Sequence, residues 1–146
     1  MQNYSKILVA TELDATTDLL ILSKAKQIAE QNNAALYLVH AVEHINAYNT
    51  AAAYPAIADI ETQISAEHKS ALTTLGQTYN IAAERQFIDM GSPAVIVANK
   101  ARDIQADLII VGSHSRHGLA LLLGSTTDSI LHKANCDILA VRLANH

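Results

Sequence analysis

The chain has 146 residues, of which 50% are apolar and 16% charged, and a formal net charge of −4 with histidine neutral. That length and hydropathy suit one domain, residues 1–146, with a substantial core, and exclude a disordered chain. The acidic balance excludes general binding to a nucleic-acid backbone, and no stretch approaches the roughly 18 to 20 apolar residues of a membrane span.

Tryptophan is absent, so the core is expected to come from Ala, Leu, Ile and Val, a composition that suits helices packed on a parallel sheet. The single cysteine, Cys136, excludes an intrachain disulfide. The opening MQNYSKILVATELD carries no signal-peptide pattern, and the expected location is cytoplasmic.

In chain order, Lys6 to Ala10 reads as a buried strand. Asp14 or Thr16 is placed to cap the helix that follows, in which Leu19, Leu20, Leu22, Ala25, Ile28 and Ala29 recur at helical spacing until Asn32-Asn33. Ala35 to Val42 is the second strand, and Glu43 to Pro55 a loop whose Ala-rich part has some helical character. A long amphipathic helix follows, with Ile57, Ile60, Ile64, Ala71, Leu72 and Leu75 on one side and Gly76 and Asn80 as terminators.

Ile81 to Ile88 reads as a third strand, and its Glu84, Arg85 and Gln86 suit an edge position. Ser92 and Pro93 open a helix as N-cap and first helical residue, with Ile96, Val97, Ala98 and Ala101 facing the core. Leu108 to Val111 is a fourth strand ending at Gly112, and Ser113 to Gly118 a polar turn. A helix over Ser125 to Ala134, with Ile130 and Leu131 inward, leads to a last strand, Asp137 to Leu143. Strand and helix alternate throughout, which predicts a parallel sheet with helices on both faces.

Ligands of open α/β sheets bind beyond the carboxyl ends of the strands, where strand order reverses. Two strand ends are prepared for this: Thr11-Glu12 after the first strand, and Gly112-Ser113-His114-Ser115 after the fourth. Gly124 and the hydroxyl-rich Ser125-Thr126-Thr127 then open a helix, whose N-terminal amides and dipole favour an anion. The competing reading gives Gly112 and Gly118 only a turn-making role and Gly124 only an entry into the helix.

The segments KILVATELD, LYLVHAVE, MGSPAVIVANKA, ADLIIVGSHSRHG and LLGSTTDSILHKANCDILAVRL resemble the universal stress protein family over nearly the whole chain. The resemblance implies an open five-stranded parallel sheet in the order 3-2-1-4-5, of the adenine nucleotide alpha hydrolase type. It also implies a homodimer paired through the last strand, here Asp137 to Leu143.

Family members divide into ATP binders and non-binders. The binders' glycine pattern is matched here by Gly112 and by Gly124-Ser125; Ser115 stands at the second glycine, and eight residues separate it from Gly124, one short of the usual interval. Glu12 stands where the family usually has Asp, and Ala41 and Val111 match its adenine contacts. On this resemblance Gly112, Ser113, Ser115, Gly124, Ser125 and Thr126 cradle phosphates, and Arg116 and His117 add charge toward a triphosphate. Glu12 contacts the ribose or base, and Thr11 beside it belongs to the nucleotide-binding set. The implied ligand is ATP, with Mg²⁺ as its companion, and any hydrolysis is slow and incidental. The alternative is a non-binding member acting through dimerisation and protein partners, a reading favoured by Ser115.

Seven histidines do not make a metal site on spacing: His40 and His44 span a strand end and a loop, and His114 and His117 share one turn. They read as surface or turn residues. Cys136 reads as a partly buried thiol. No nucleophile elbow or nucleophile–base–acid set is visible.

Overall fold

The computed structural model describes residues 3–44, 54–114 and 125–143. Five parallel strands are resolved among them: β1 (Lys6–Ala10), β2 (Ala35–Val42), β3 (Gln86–Met90), β4 (Leu108–His114) and β5 (Asp137–Leu143). Their order is β3-β2-β1-β4-β5, with β1 pairing β2 and β4 on either side. Chain direction across the sheet therefore reverses between β1 and β4, and the carboxyl ends of those two strands form the switch point.

Helices α1 (Ala15–Asn32) and α2 (Tyr54–Thr78) cover one face, and α3 (Pro93–Ile104) and α4 (Ser125–Lys133) the other. The alternation of each strand divides the core in two. Ile7, Val9, Leu38 and Ile110 pack with Ile21, Leu22 and Leu72. Leu8, Val39, Ile109 and Val111 pack with Val97, Ala101 and Ile130 on the opposite face.

Local chemistry sets the element ends. Asp14 caps α1, its Oδ1 accepting from the Thr16 amide at 2.9 Å, and Asn33 ends the helix in the left-handed region at φ 53°. Pro93 opens α3, although the Ser92 side chain makes no capping hydrogen bond.

Several local expectations are corrected. β4 does not stop at Gly112 but runs on through Ser113 and His114, because Val141, Arg142 and Leu143 of β5 pair with those residues. The region before β3 is a 3₁₀ turn over Ala83–Arg85, so the strand begins at Gln86; its edge position is as expected. Gly76 does not terminate α2 but lies buried inside it, a Cβ there having no room beside the Gln86 side chain. Asn80 does take the left-handed turn, at φ 59°. Leu19, Leu20, Ile60 and Leu131 are exposed, as is Ala71, so the inward stripes of α1, α2 and α4 are narrower than apolar spacing suggests. Residues 45–53 of the expected loop lie outside the described residues.

Candidate functional site

The candidate site lies at the switch point, toward the carboxyl ends of β1 and β4. Val9 pairs with Ile110, so Thr11 and Gly112 each lie two residues beyond a paired position. Thr11 is 5% exposed and is held from four sides. Its amide donates to Val39 O at 3.0 Å, and its hydroxyl donates to Asp18 Oδ1 at 2.6 Å. The same hydroxyl accepts from the Leu13 amide at 3.0 Å, and the Thr11 carbonyl accepts from His40 Nδ1 at 2.8 Å. This fixes the start of the segment that carries the exposed Glu12. Leu13, at φ 59°, makes the left-handed turn into α1.

Asp18 stands in the first turn of α1, where the helix dipole favours a carboxylate. Burial nevertheless pushes its pKa up, against the lowering influence of the Thr11 hydroxyl and the Glu12 backbone.

On the other strand, Gly112 has a packing reason independent of any ligand. A Cβ there would meet Leu143 Cδ1 at 2.7 Å and Ile21 Cδ1 at 2.9 Å. Its carbonyl accepts from the Thr127 hydroxyl at 3.1 Å. Thr127, 3% exposed, thereby ties the first turn of α4 to the end of β4. Thr126, the expected phosphate contact, is exposed beside it.

Strand alternation sorts the remaining residues by face. Ala41 and Val111 both project toward the α3–α4 side, with Ala10 of β1 between their strands. Ser113 follows Val111 on that side and is half-buried. Thr11 and Gly112 instead turn toward α1, where Asp18 and Ile21 meet them. Ala41, Val111, Ser113 and the start of α4 thus share one face at the carboxyl end of the sheet, and the exposed Glu12 follows β1 there. The described residues fit an adenine nucleotide in kind: small apolar side chains, a hydroxyl and a helix start on one side. Ser115, Arg116, His117 and Gly124 lie outside the described residues, and Ser125 is described only as the first position of α4.

Sequence reasoning missed three residues. His40 is buried at 7% exposure rather than a surface histidine, its Nε2 lying 2.9 Å from His68 Nδ1. Burial lowers its pKa, opposed by the bond to Thr11 and by the charge of Glu12. Its alternation with Leu36 and Leu38 along β2 was the available signal. Asp18 gave none, because a first-turn acid ordinarily faces water. Thr127 was hidden in a run of three hydroxyl residues. Among the described residues no three or more His, Cys, Asp or Glu side chains converge as metal ligands, and no helix is long and apolar enough to cross a membrane. Burial also raises the pKa of the half-buried Cys136 thiol.

Comparison with known proteins agrees with this architecture. The profile of the universal stress protein family matches residues 3–142. Universal stress protein A homolog 2 of Coxiella burnetii is 43% identical over 143 residues, covering 98% of each chain. Among solved structures, the universal stress protein UspA from Lactobacillus plantarum superimposes with a TM-score of 0.78 at 23% identity, covering 97% of this chain and 100% of that one. A universal stress protein crystallised in complex with cAMP superimposes with a TM-score of 0.60 at 22% identity, covering 98% of this chain and 100% of that one. With its sheet order, its switch point and these matches, the chain belongs to the universal stress protein family.

Proposed function

We propose that this protein is a cytoplasmic, homodimeric stress-response module that binds ATP, or another adenine nucleotide, at the carboxyl ends of β1 and β4. The observation that carries the reading is the Thr127–Gly112 hydrogen bond, which anchors the start of α4 beside the switch point. A helix start in that place supplies amide donors and a positive dipole end for phosphate. Ala41 and Val111 offer the base an apolar surface, and Glu12 a carboxylate for the ribose. Ser113, Ser115, Gly124, Ser125 and Thr126 cradle the phosphates in this reading, with Arg116, His117 and Mg²⁺ balancing their charge. The cAMP complex of a structural relative supports a nucleotide in this fold.

The protein acts by binding, with any ATP hydrolysis slow and incidental. The dimer forms through β5, an edge strand whose Ile138, Leu139, Ala140 and Val141 remain only half-buried in the single chain.

Replacement of Gly124 by Val tests the site. Loss of ATP binding with an unchanged melting temperature is the expected result, and unchanged affinity overturns the assignment. A second reading, a non-binding member acting through protein partners, is favoured by one observation: Ile21 and Leu143 account for Gly112 without a ligand.

A further inference from the structure

The histidine pair that joins α2 to the sheet has a defined protonation logic. The Thr11 carbonyl only accepts, so His40 Nδ1 donates to it across 2.8 Å. A neutral His40 then presents a bare lone pair at Nε2, and His68 Nδ1, 2.9 Å away, donates to it. Each ring is thereby assigned one tautomer by its bonding. A proton added at His68 Nε2 leaves this chain of donors intact. With one added proton the contact survives whichever ring holds it, because a neutral His68 accepts at Nδ1 as its Nε2–H tautomer. A second proton makes both rings imidazolium, sets two N–H groups against each other, and breaks the contact.

This contact sits where α2 has little else to hold it. From Ala56 to Ala71 the helix has no buried residue, and the first is Leu72. Ile57 and Ile64 are only half-buried. Ser65, Ala66 and Lys69, which flank His68, face Val42, Ile88 and Met90 across a cavity of about 200 Å³. Among the described residues the His44–Glu61 pair, at 3.2 Å, is a further tie in this half. Beyond Leu72 the helix is anchored, with Gly76 and Ile81 buried. Thin packing of this kind marks a segment that opens before the whole protein unfolds.

We infer that the His40–His68 contact is an acid-released latch holding the N-terminal half of α2 on the sheet. The ionisable groups around it are Glu12 and Asp18 from the segment after β1, His44 beyond β2, Glu61 and Lys69 on α2, and Asp89 on β3. Glu12 favours the imidazolium and His68 disfavours it, while burial holds His40 neutral. Opening removes that burial, so the open form takes up the proton the closed form resists. The latch stands without any nucleotide.

The test combines long-range ¹⁵N–¹H correlation of the imidazoles with amide hydrogen exchange on the full-length, nucleotide-free protein between pH 8 and pH 5. Expected are His40 protonated at Nδ1 only at pH 8, and protection over 57–71 that falls up to about tenfold per pH unit below about pH 6.5 after correction for intrinsic exchange. Protection of α3 stays unchanged. In His68→Gln the amide donates to His40 at high pH and, flipped, accepts from it at low pH, so the acid-dependent loss is smaller than in the wild type. A His40 proton on Nε2 at pH 8, acid-independent protection of α2 in the wild type, or wild-type acid dependence in His68→Gln each overturns the latch. The wild-type measurements decide the matter if that variant does not fold.

Discussion

The Thr11 hydroxyl donates to the Asp18 carboxylate at 2.6 Å, and both side chains are buried. This bond joins the end of the central strand to the first turn of α1, so the segment bearing Glu12 is set by the core rather than by solvent. Asp18→Ala leaves the hydroxyl without its acceptor and is expected to cost about 1–3 kcal/mol in urea denaturation. The sign of the pH dependence follows from the raised pKa of Asp18. The folded state holds this proton more firmly than the unfolded chain. The group's contribution is complete below about pH 3.9 and is lost as pH rises through the folded value. The penalty of Asp18→Ala therefore grows on acidification across that window; a penalty that shrinks there contradicts the assignment.

Gly112 is expected to be intolerant for reasons of space. Gly112→Ala directs a methyl at the Cδ1 atoms of Leu143 and Ile21, both on buried side chains. Because those atoms are the ends of side chains, the loss falls at the low end of overpacking costs, about 1 kcal/mol. Ile21→Val removes one of the two obstructing atoms, so the double variant is expected to be less destabilised than the sum of its parts. Strict additivity in denaturant melts contradicts the contact.

Thr127→Val keeps the shape of the side chain and deletes its hydroxyl. It frees the start of α4 from Gly112 and is expected to lower stability by about 1 kcal/mol and nucleotide affinity about tenfold. If stability falls while affinity holds, α4 is a support of the fold and not of the ligand.

The β5 edge carries the dimer prediction. Lysine in place of the half-buried Ala140 is expected to convert a sedimenting dimer to monomer without unfolding it. A monomeric wild type at the same concentration removes the dimer from the account.

Much of this architecture was legible in the sequence because apolar alternation and end signals agree. The bounds of β5 are Asp137 and Leu143 as read, and Asp14 caps α1 as its chemistry suggests. The misreadings share one cause, which is that pairing and packing partners lie far away in the chain. Gly112 looked like a strand end until β5 supplied Val141 as its neighbour. Leu131 fell next to the buried Ile130 in sequence, yet only Ile130 points into the core. His40 and His68 are 28 residues apart, and nothing local to either signals the other. The candidate site was legible in part: Thr11, Ala41, Val111, Gly112 and Ser113 lie toward the carboxyl-terminal halves of β1, β2 and β4 or just beyond them, whereas Asp18, His40 and Thr127 emerge only from the tertiary contacts around Thr11 and Gly112.

The most direct test of the central claim is a calorimetric titration of the nucleotide-stripped protein with ATP and Mg²⁺, with AMP, cAMP and GTP in parallel. Saturable, adenine-selective binding in the micromolar range is the predicted result. The absence of heat at millimolar ATP contradicts nucleotide binding and assigns the protein to the members that act through partners alone.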